Sequence, residues 1–530
     1  MQRNFRTKCG KISGLLTFFF MFVVLASMAV SAVTNPPVLW TAGGLSAGND
    51  SAGQASRVAT DSAGNVAIVS GPSGGRDLAV TSYTADGTLR WQRTVSPASG
   101  TFVGGWVVAA PNGDFVATGQ NIDSHGRSIL GAMVRYAADG TFLWRVDISA
   151  PFYPSIARLL VDSAGNEYVA WSAVGSGMFV QKYSPAGSLL WSQQDVAISG
   201  YAVATSLALS SDGADVVASG AVSGGAIWIT SVYDTTTGNR RWQVAAAEGT
   251  AANDVVVDAT RVYVTGTGVI NPGTPKMKYN LSVVAYNRAT GARLWRKDKM
   301  PVDGTFAAGL RMAIAPDGSL VATGMANRGF LDWYTVAFET TGTVRWEAVR
   351  DGGLNTDEIP AGILVLANGT TIVTGPGGPN LPGGYIPGVT AGYSTNGTLL
   401  WEAFSKLATV WAAALPNGNV CSTGGYDAFI SCWQLPGAPS APANLVATST
   451  TAARIDLTWT NTASDATSIG VERCRGGACT KFVPVAQLDA TAVSWADSTV
   501  KSNVVYRYRV RASNAAGNSP YSNIAKVRAR

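Results

Sequence analysis

Gly87-Thr-Leu-Arg-Trp91 is the first of seven places where the chain writes a Gly, three residues and a Trp. The others are Gly140/Trp144, Gly187/Trp191, Gly238/Trp242, Gly291/Trp295, Gly342/Trp346 and Gly397/Trp401. Successive Trp residues are 53, 47, 51, 53, 51 and 55 positions apart. A period of about fifty residues marks a repeat architecture, in which each unit buries its apolar face only by stacking on the next.

Working outward from that element, each Gly is preceded by an aromatic: Tyr83, Tyr136, Tyr183, Tyr233, Tyr286, Phe338 and Tyr393. Further upstream lies a turn, then an apolar run ending in Gly. Pro111-Asn-Gly-Asp114 precedes FVATG, and Pro316-Asp-Gly-Ser319 precedes LVATG. Such spacing of alternating, β-branched segments predicts four short antiparallel strands per unit. A single four-stranded sheet cannot bury both faces, whereas sheets set around an axis can, which is the propeller solution. The repeated Trp falls on the last, outermost strand, where its area can lock one sheet to its neighbour.

The ends of the repeat complete the count. After Trp401 come TVWAAAL, NVCSTG and AFISCWQL, with Trp433 in place of the usual Tyr and no fourth strand. Pro37-Val-Leu-Trp40 matches an outer strand that lacks its three predecessors. The N-terminal segment is therefore expected to complete the last unit. That gives an eight-bladed β-propeller over residues 36–435. The pattern resembles the propellers of the pyrroloquinoline-quinone-dehydrogenase-like repeat superfamily, which includes cofactor-free outer-membrane assembly lipoproteins.

Composition agrees with short buried strands and tight turns: 60 Gly, 46% hydrophobic and only 14% charged residues. Residues 1–32 read as a secretory signal peptide. Arg3, Arg6, Lys8 and Lys11 precede the apolar stretch 15–30, followed by Val30-Ser31-Ala32. The other reading of that stretch is an uncleaved anchor. The leader holds four of the 39 basic residues and none of the 33 acidic ones, so the mature chain carries +2. This is no nucleic-acid footprint. A secreted, periplasmic or cell-surface monomer with no membrane span after cleavage is expected. Cys421/Cys432 and Cys474/Cys479 allow three connectivities, of which local pairing is favoured by spacing. An oxidising compartment would let both pairs close hairpins.

After a linker at 436–442, residues 443–530 form a second unit. Trp459 lies in Ile455-Asp-Leu-Thr-Trp-Thr460, and Tyr506-Arg-Tyr508-Arg-Val510-Arg-Ala512 alternates before Asn514-Ala-Ala-Gly517-Asn-Ser-Pro520. This resembles a fibronectin type III domain, and so implies a β-sandwich of about seven strands. Arg507, Arg509 and Arg511 read as a solvated stripe on one sheet face.

Catalytic patterns are sparse. The chain's one His is His125, in a turn, and no phosphate-loop pattern occurs. The resemblance raises a quinone-dependent dehydrogenase, but the adjacent cysteines of such enzymes are absent. No cofactor and no metal are expected. The repeats disagree most at one inner-strand position. It reads Arg57, Trp106, Arg158, Ser206, Asp254, Arg311, Gly362 and Trp411. Arg and Trp are typical of binding hot spots, so these residues, apart from Gly362, are the candidate funnel site. The other reading is that Arg and Asp pair across the channel while Trp fills gaps. Tyr153, Tyr201, Phe306, Asp357 and Glu358, in loops before the inner strands, could extend the site. The sequence thus points to a secreted bacterial binding or scaffold protein recognising a polysaccharide or an extracellular protein. The alternative is an exported polysaccharide hydrolase or lyase.

Overall fold

The computed structural model describes residues 36–530 apart from 43–56, 72–75, 150–152, 196–201, 223–226, 353–356, 378–386, 406–408, 417, 425–428, 436–438, 464–465, 515–516 and 520. The leader at 1–32, Tyr201 and part of the linker lie outside the described residues. Among the described residues the chain is all-β. No described helix is long and apolar enough to cross a membrane.

Residues 57–405 form seven four-stranded antiparallel sheets, each a meander in chain order. Thr409–Ala414, Val420–Gly424 and Phe429–Trp433 form three strands of a further sheet, whose outer edge is Val38–Ala42. There Val38 pairs with Trp433 and Ala42 with Ile430. The first strands of the sheets adjoin one another in chain order, and Thr409–Ala414 adjoins Arg57–Thr60. Thr60 Oγ1 donates to Ala414 O at 2.7 Å across that last junction. This arrangement is that of a propeller.

Strand composition follows position. Val66–Ser70 and Leu78–Tyr83 are buried throughout, because both their faces meet neighbouring sheets. The outer strand Leu89–Val95 keeps Trp91 buried and leaves most of its other side chains half-exposed or exposed.

The Gly-x-x-x-Trp element proves to be two halves of different contacts. The indole of Trp91 meets the following sheet: its Nε1 donates to Ala138 O at 3.0 Å, and its ring lies 5.8 Å from Tyr136. A methyl group added at Gly140 would sit 2.6 Å from the Trp91 ring, and Gly140 has φ +86°. The same indole-to-carbonyl bond recurs from Trp40 to Ala85, Trp144 to Pro185, Trp191 to Thr235, Trp242 to Arg288 and Trp295 to Thr340. Each Gly is thus a seat for the Trp one repeat earlier, and the aromatic before it forms the wall.

Charged clasps add to these contacts. Arg135, almost wholly buried, joins Asp114 at 3.0 Å to Glu167 of the next sheet at 2.5 Å. Burial pushes the Glu167 carboxyl up to about 7, against the pull of Arg135. Desolvation offsets much of the attraction in such a buried pair.

Both local disulfides are present, Cys421–Cys432 and Cys474–Cys479. The first joins directly paired residues of Val420–Gly424 and Phe429–Trp433. Disulfides of this kind belong to proteins that mature in an oxidising compartment.

Beyond the linker, Ala443–Thr448, Ile455–Thr460 and Ser494–Asp497 form one sheet. Ser468–Arg475, Val483–Asp489, Val505–Asn514, Gly517–Asn518 and Ala525–Arg528 form another. Their facing side chains, Leu457 and Trp459 against Val471, Tyr508 and Val510, share one core. The arginine stripe is not merely solvated. Arg509 lies 3.5 Å from the Tyr521 ring centroid and 4.3 Å from that of Phe482, and pairs with Glu472 at 2.6 Å. Cation–π attraction to these rings adds to the Glu472 pair in holding its head.

Candidate functional site

The variable positions all lie on the first strands of their sheets, and in six of the eight a slip of backbone register accompanies them. In Ser155–Val161, Ala202–Leu209, Gly249–Val257, Phe306–Ile314 and Thr409–Ala414 the pairing register slips by one residue immediately before the variable position. In Thr101–Ala109 it slips between Gly104 and Val107, bracketing Trp106. A bulge leaves an extra residue unpaired and re-aims the side chain beside it. The bulge residues bind the next first strand: Thr205 Oγ1 donates to Ala252 O, and Asn253 Nδ2 to Gly309 O at 2.7 Å. At Trp106 the freed backbone N donates to Thr118 Oγ1 at 2.9 Å.

Five of these side chains meet. Trp106 and Trp411 pack edge to face with centroids 5.4 Å apart. The Arg57 guanidinium carbon lies 3.9 Å from the Trp106 centroid and 4.7 Å from that of Trp411. For Arg158 the corresponding distances are 4.2 and 5.3 Å. Arg311 approaches Trp411 at 5.8 Å. Arg158, Arg311 and Trp411 come from sheets that do not adjoin, so the cluster spans the space inside the first strands.

Asp254 is the one acid at these positions. Its Oδ1 accepts from Ser206 Oγ at 2.6 Å and from Val255 N at 3.0 Å, and its Oδ2 accepts from Met312 N at 2.9 Å. The carboxylate therefore ties three consecutive first strands together. It does not form the cross-channel arginine pair that the sequence left open. Arg311 is fixed by Nε donating to Ala361 O at 3.0 Å and Nη1 to Leu310 O at 2.8 Å. Burial holds Arg57 well below the usual guanidinium range, and repulsion from Arg311 and Arg158 adds to it, with Asp254 opposing. Burial also lowers Arg158, where Asp254 opposes and Arg311 assists. Arginine does not give up its proton in proteins, so both groups stay charged despite their burial.

The loop residues do not extend this cluster. Glu358 is buried against Arg350 at 2.6 Å, and Asp357 accepts from Leu331 N at 3.0 Å, so both fasten their own segment. Phe306 packs on Tyr279 at 5.8 Å. Tyr153 is exposed beside Arg127. His125 sits in an exposed turn, 3.9 Å from Asp123. Gly362 contributes no side chain.

A planar quinone does not suit this cluster, because the indole rings already carry guanidiniums. Among the described residues no group of three or more His, Cys, Asp or Glu is placed to hold a metal ion.

The geometry can be set beside known proteins. A family model described as outer membrane protein assembly factor BamB matches residues 176–376 and 279–419. The repeats in that span are similar to those of the PQQ-like family. A structure titled Dos1 propeller is 10% identical, covers 76% of this chain and 96% of its own, and gives a TM-score of 0.50. That likeness is one of fold. The quinohemoprotein alcohol dehydrogenase ADHIIG from Pseudomonas putida HK5 is 12% identical over 77% of this chain and 79% of its own, with a TM-score of 0.48. An Fn3-like protein from Clostridium thermocellum is 27% identical over 18% of this chain and 96% of its own, with a TM-score of 0.16. A comparison with curated proteins returns no match.

Proposed function

We propose that this is an exported recognition protein and not a catalyst. On this reading residues 1–32 direct export and are removed. Residues 36–435 form a closed eight-bladed propeller, and residues 443–530 a fibronectin type III domain that serves as a spacer. Support for the ring comes from the pairing of Val38–Ala42 with Phe429–Trp433 and from the adjacency of Thr409–Ala414 and Arg57–Thr60. Export is supported by the two disulfides.

The observation that carries recognition is the convergence of Arg57, Arg158, Arg311, Trp106 and Trp411 inside the first strands. Asp254, the acid at the variable positions, is engaged by Ser206 Oγ and Met312 N, and no second acid stands at those positions. General acid–base hydrolysis of a glycoside needs two carboxyl groups facing one bond. Binding, by contrast, suits a cluster of buried Arg and Trp, the residue types that dominate interface energetics.

The test is capture of an extracellular polymer, polysaccharide or protein, by the mature chain on a glycan array and in pull-downs. Saturable capture lost on Trp411→Ala, with the thermal unfolding transition retained, is the expected result. Turnover of a captured glycan would overturn the non-catalytic reading.

A further inference from the structure

We propose that the junction between the sheets of residues 306–350 and 362–405 is a second binding site, a cavity that takes one neutral hexose ring of a glycan. It shares no residue with the Arg and Trp cluster and does not depend on it.

The first argument is what fills this space at other junctions. Between the sheets of residues 101–148 and 155–195, Arg135 bridges Asp114 and Glu167 and donates to Gly165 O at 3.0 Å. At the next junction Lys182 donates to Thr235 O at 2.9 Å. The residues that stand in the places of Asp114, Arg135 and Glu167 here are Ser319, Ala337 and Thr371. Short side chains replace the clasp, and they line a cavity of about 220 Å³. Arg345 does not close it. Arg90, one residue before Trp91, crosses to Ala138 O of the following sheet at 2.7 Å. Arg345, one residue before Trp346, turns back to Asp317 at 2.6 Å and Glu339 at 3.2 Å in its own repeat.

The second is an open donor. Six indoles of the repeat donate to a carbonyl of the following sheet. Trp346 keeps the ring seat, since a methyl group at Gly397 would meet it at 2.6 Å. Its Nε1 makes no such bond among the described residues, and both Trp346 and Thr395 line the cavity.

The third is the chemistry of the lining. Pro316, Val321, Ala337 and Trp346 supply apolar surface. Ser319, Thr371 and Thr395 supply hydroxyls, which both donate and accept. A hexose has an apolar C–H face and a rim of hydroxyls, so it meets both kinds of wall. The one acid and the one base of the lining, Asp317 and Arg345, pair with each other, so no charge favours an ionic ligand. The Asp317 side chain is 53% exposed and marks the open side. Pockets for drug-sized ligands begin at roughly 300 Å³, so this smaller space suits a single ring.

Saturation-transfer NMR titration of the mature protein with the methyl glycosides of glucose, galactose and mannose tests this, beside galacturonate and methylguanidinium. At least one glycoside should bind, with a dissociation constant on the order of millimolar for so small a ligand. Trp346→Phe, which removes the indole N–H, should weaken it roughly twofold to tenfold. Trp144→Phe, at the clasped junction, should bind as the parent does. The triple variant Ser319→Asp, Ala337→Arg, Thr371→Glu rebuilds the clasp and should abolish binding. Ala337→Leu fills less of the space without adding charge, and should weaken binding roughly tenfold or more even where the triple variant does not fold. Binding of none of the three glycosides, tighter binding of galacturonate or methylguanidinium, or full binding by a folded Ala337→Leu would each overturn the proposal. Glycoside binding lost on Trp411→Ala but kept by Ala337→Leu belongs to the Arg and Trp cluster and overturns it as well.

Discussion

Trp40 lies on Gly87: its indole would meet a methyl group there at 2.6 Å, and its Nε1 donates to Ala85 O at 2.9 Å. Trp40 belongs to the sheet ending at Trp433, and Gly87 to the sheet of residues 57–95. One repeated contact thus joins the first and last sheets on the same terms as it joins the others.

That contact is testable within the chain. Trp91 is buried and Gly140 has positive φ, so Trp91→Ala should cost about 3–5 kcal/mol. Gly140→Ala should cost at least 1–2 kcal/mol, roughly the penalty for a left-handed non-Gly residue, before any clash with the indole. Urea unfolding of both variants reads these values. A neutral Gly140→Ala would show that the Trp91 seat is loose.

Asp254→Asn should destabilise by about 3 kcal/mol or more, since it weakens several hydrogen bonds to a charged group, each of about 1.5–3 kcal/mol. Asn offers one acceptor where the carboxylate offers two, and it sets an amide N–H₂ against either Met312 N or Ser206 Oγ. It also removes the negative field acting on Arg57 and Arg158. Ser206→Ala, which removes one donor to the carboxylate, should cost less, about 1.5–3 kcal/mol. Chemical denaturation of the two variants should preserve that order.

Stability should fall as pH rises from the ordinary carboxylate range through about 7, because burial raises Glu167 in the folded state. The folded chain then holds a proton that the unfolded chain has already released. The contribution is complete below the unfolded value and is lost across that window, with a slope of at most about 1.4 kcal/mol per pH unit. Denaturation at pH 5 and pH 7 measures it, and Glu167→Gln should flatten the difference. A parent protein more stable at pH 7 than its Gln variant predicts would contradict the assignment.

Reducing the two disulfides should have unequal effects. Chain-entropy arithmetic gives roughly 2.8 kcal/mol for a loop of about 11 residues and roughly 2.1 for one of about 5. Cys421→Ser with Cys432→Ser should therefore lower the melting temperature more than Cys474→Ser with Cys479→Ser. Differential scanning calorimetry distinguishes the two.

Much of the fold was legible because the same residues solve the same problem every fifty or so positions. Gly140 and Trp91 could be read as parts of a repeat. That Gly140 seats the Trp of the preceding unit could not, since the element pairs each Gly with the Trp that follows it in sequence. The variable positions were legible as the place where repetition fails. Their meeting was not, because it depends on the bulges before Arg158, Ser206, Asp254, Arg311 and Trp411. A one-residue slip of register sends every following side chain to the opposite face, and no residue type demands it. Asp254 shows the limit most clearly. Its partner Met312 N is a backbone group, invisible to any reading of side-chain chemistry. Asp357 and Glu358 illustrate the converse, acids that look like site residues in a loop and serve to fasten it.

The pairing of Val38–Ala42 with Phe429–Trp433 has a consequence for biogenesis. The segment made first finds its partner only after on the order of four hundred further residues have emerged, a loop closure among the slowest kinds of folding event. Until then the nascent chain carries an unpaired edge at each end, a template for association with other chains. Assembly is therefore a race that truncation before Trp433 always loses. A fragment carrying every complete repeat but lacking the last three strands should accumulate as aggregate rather than as a smaller version of the protein.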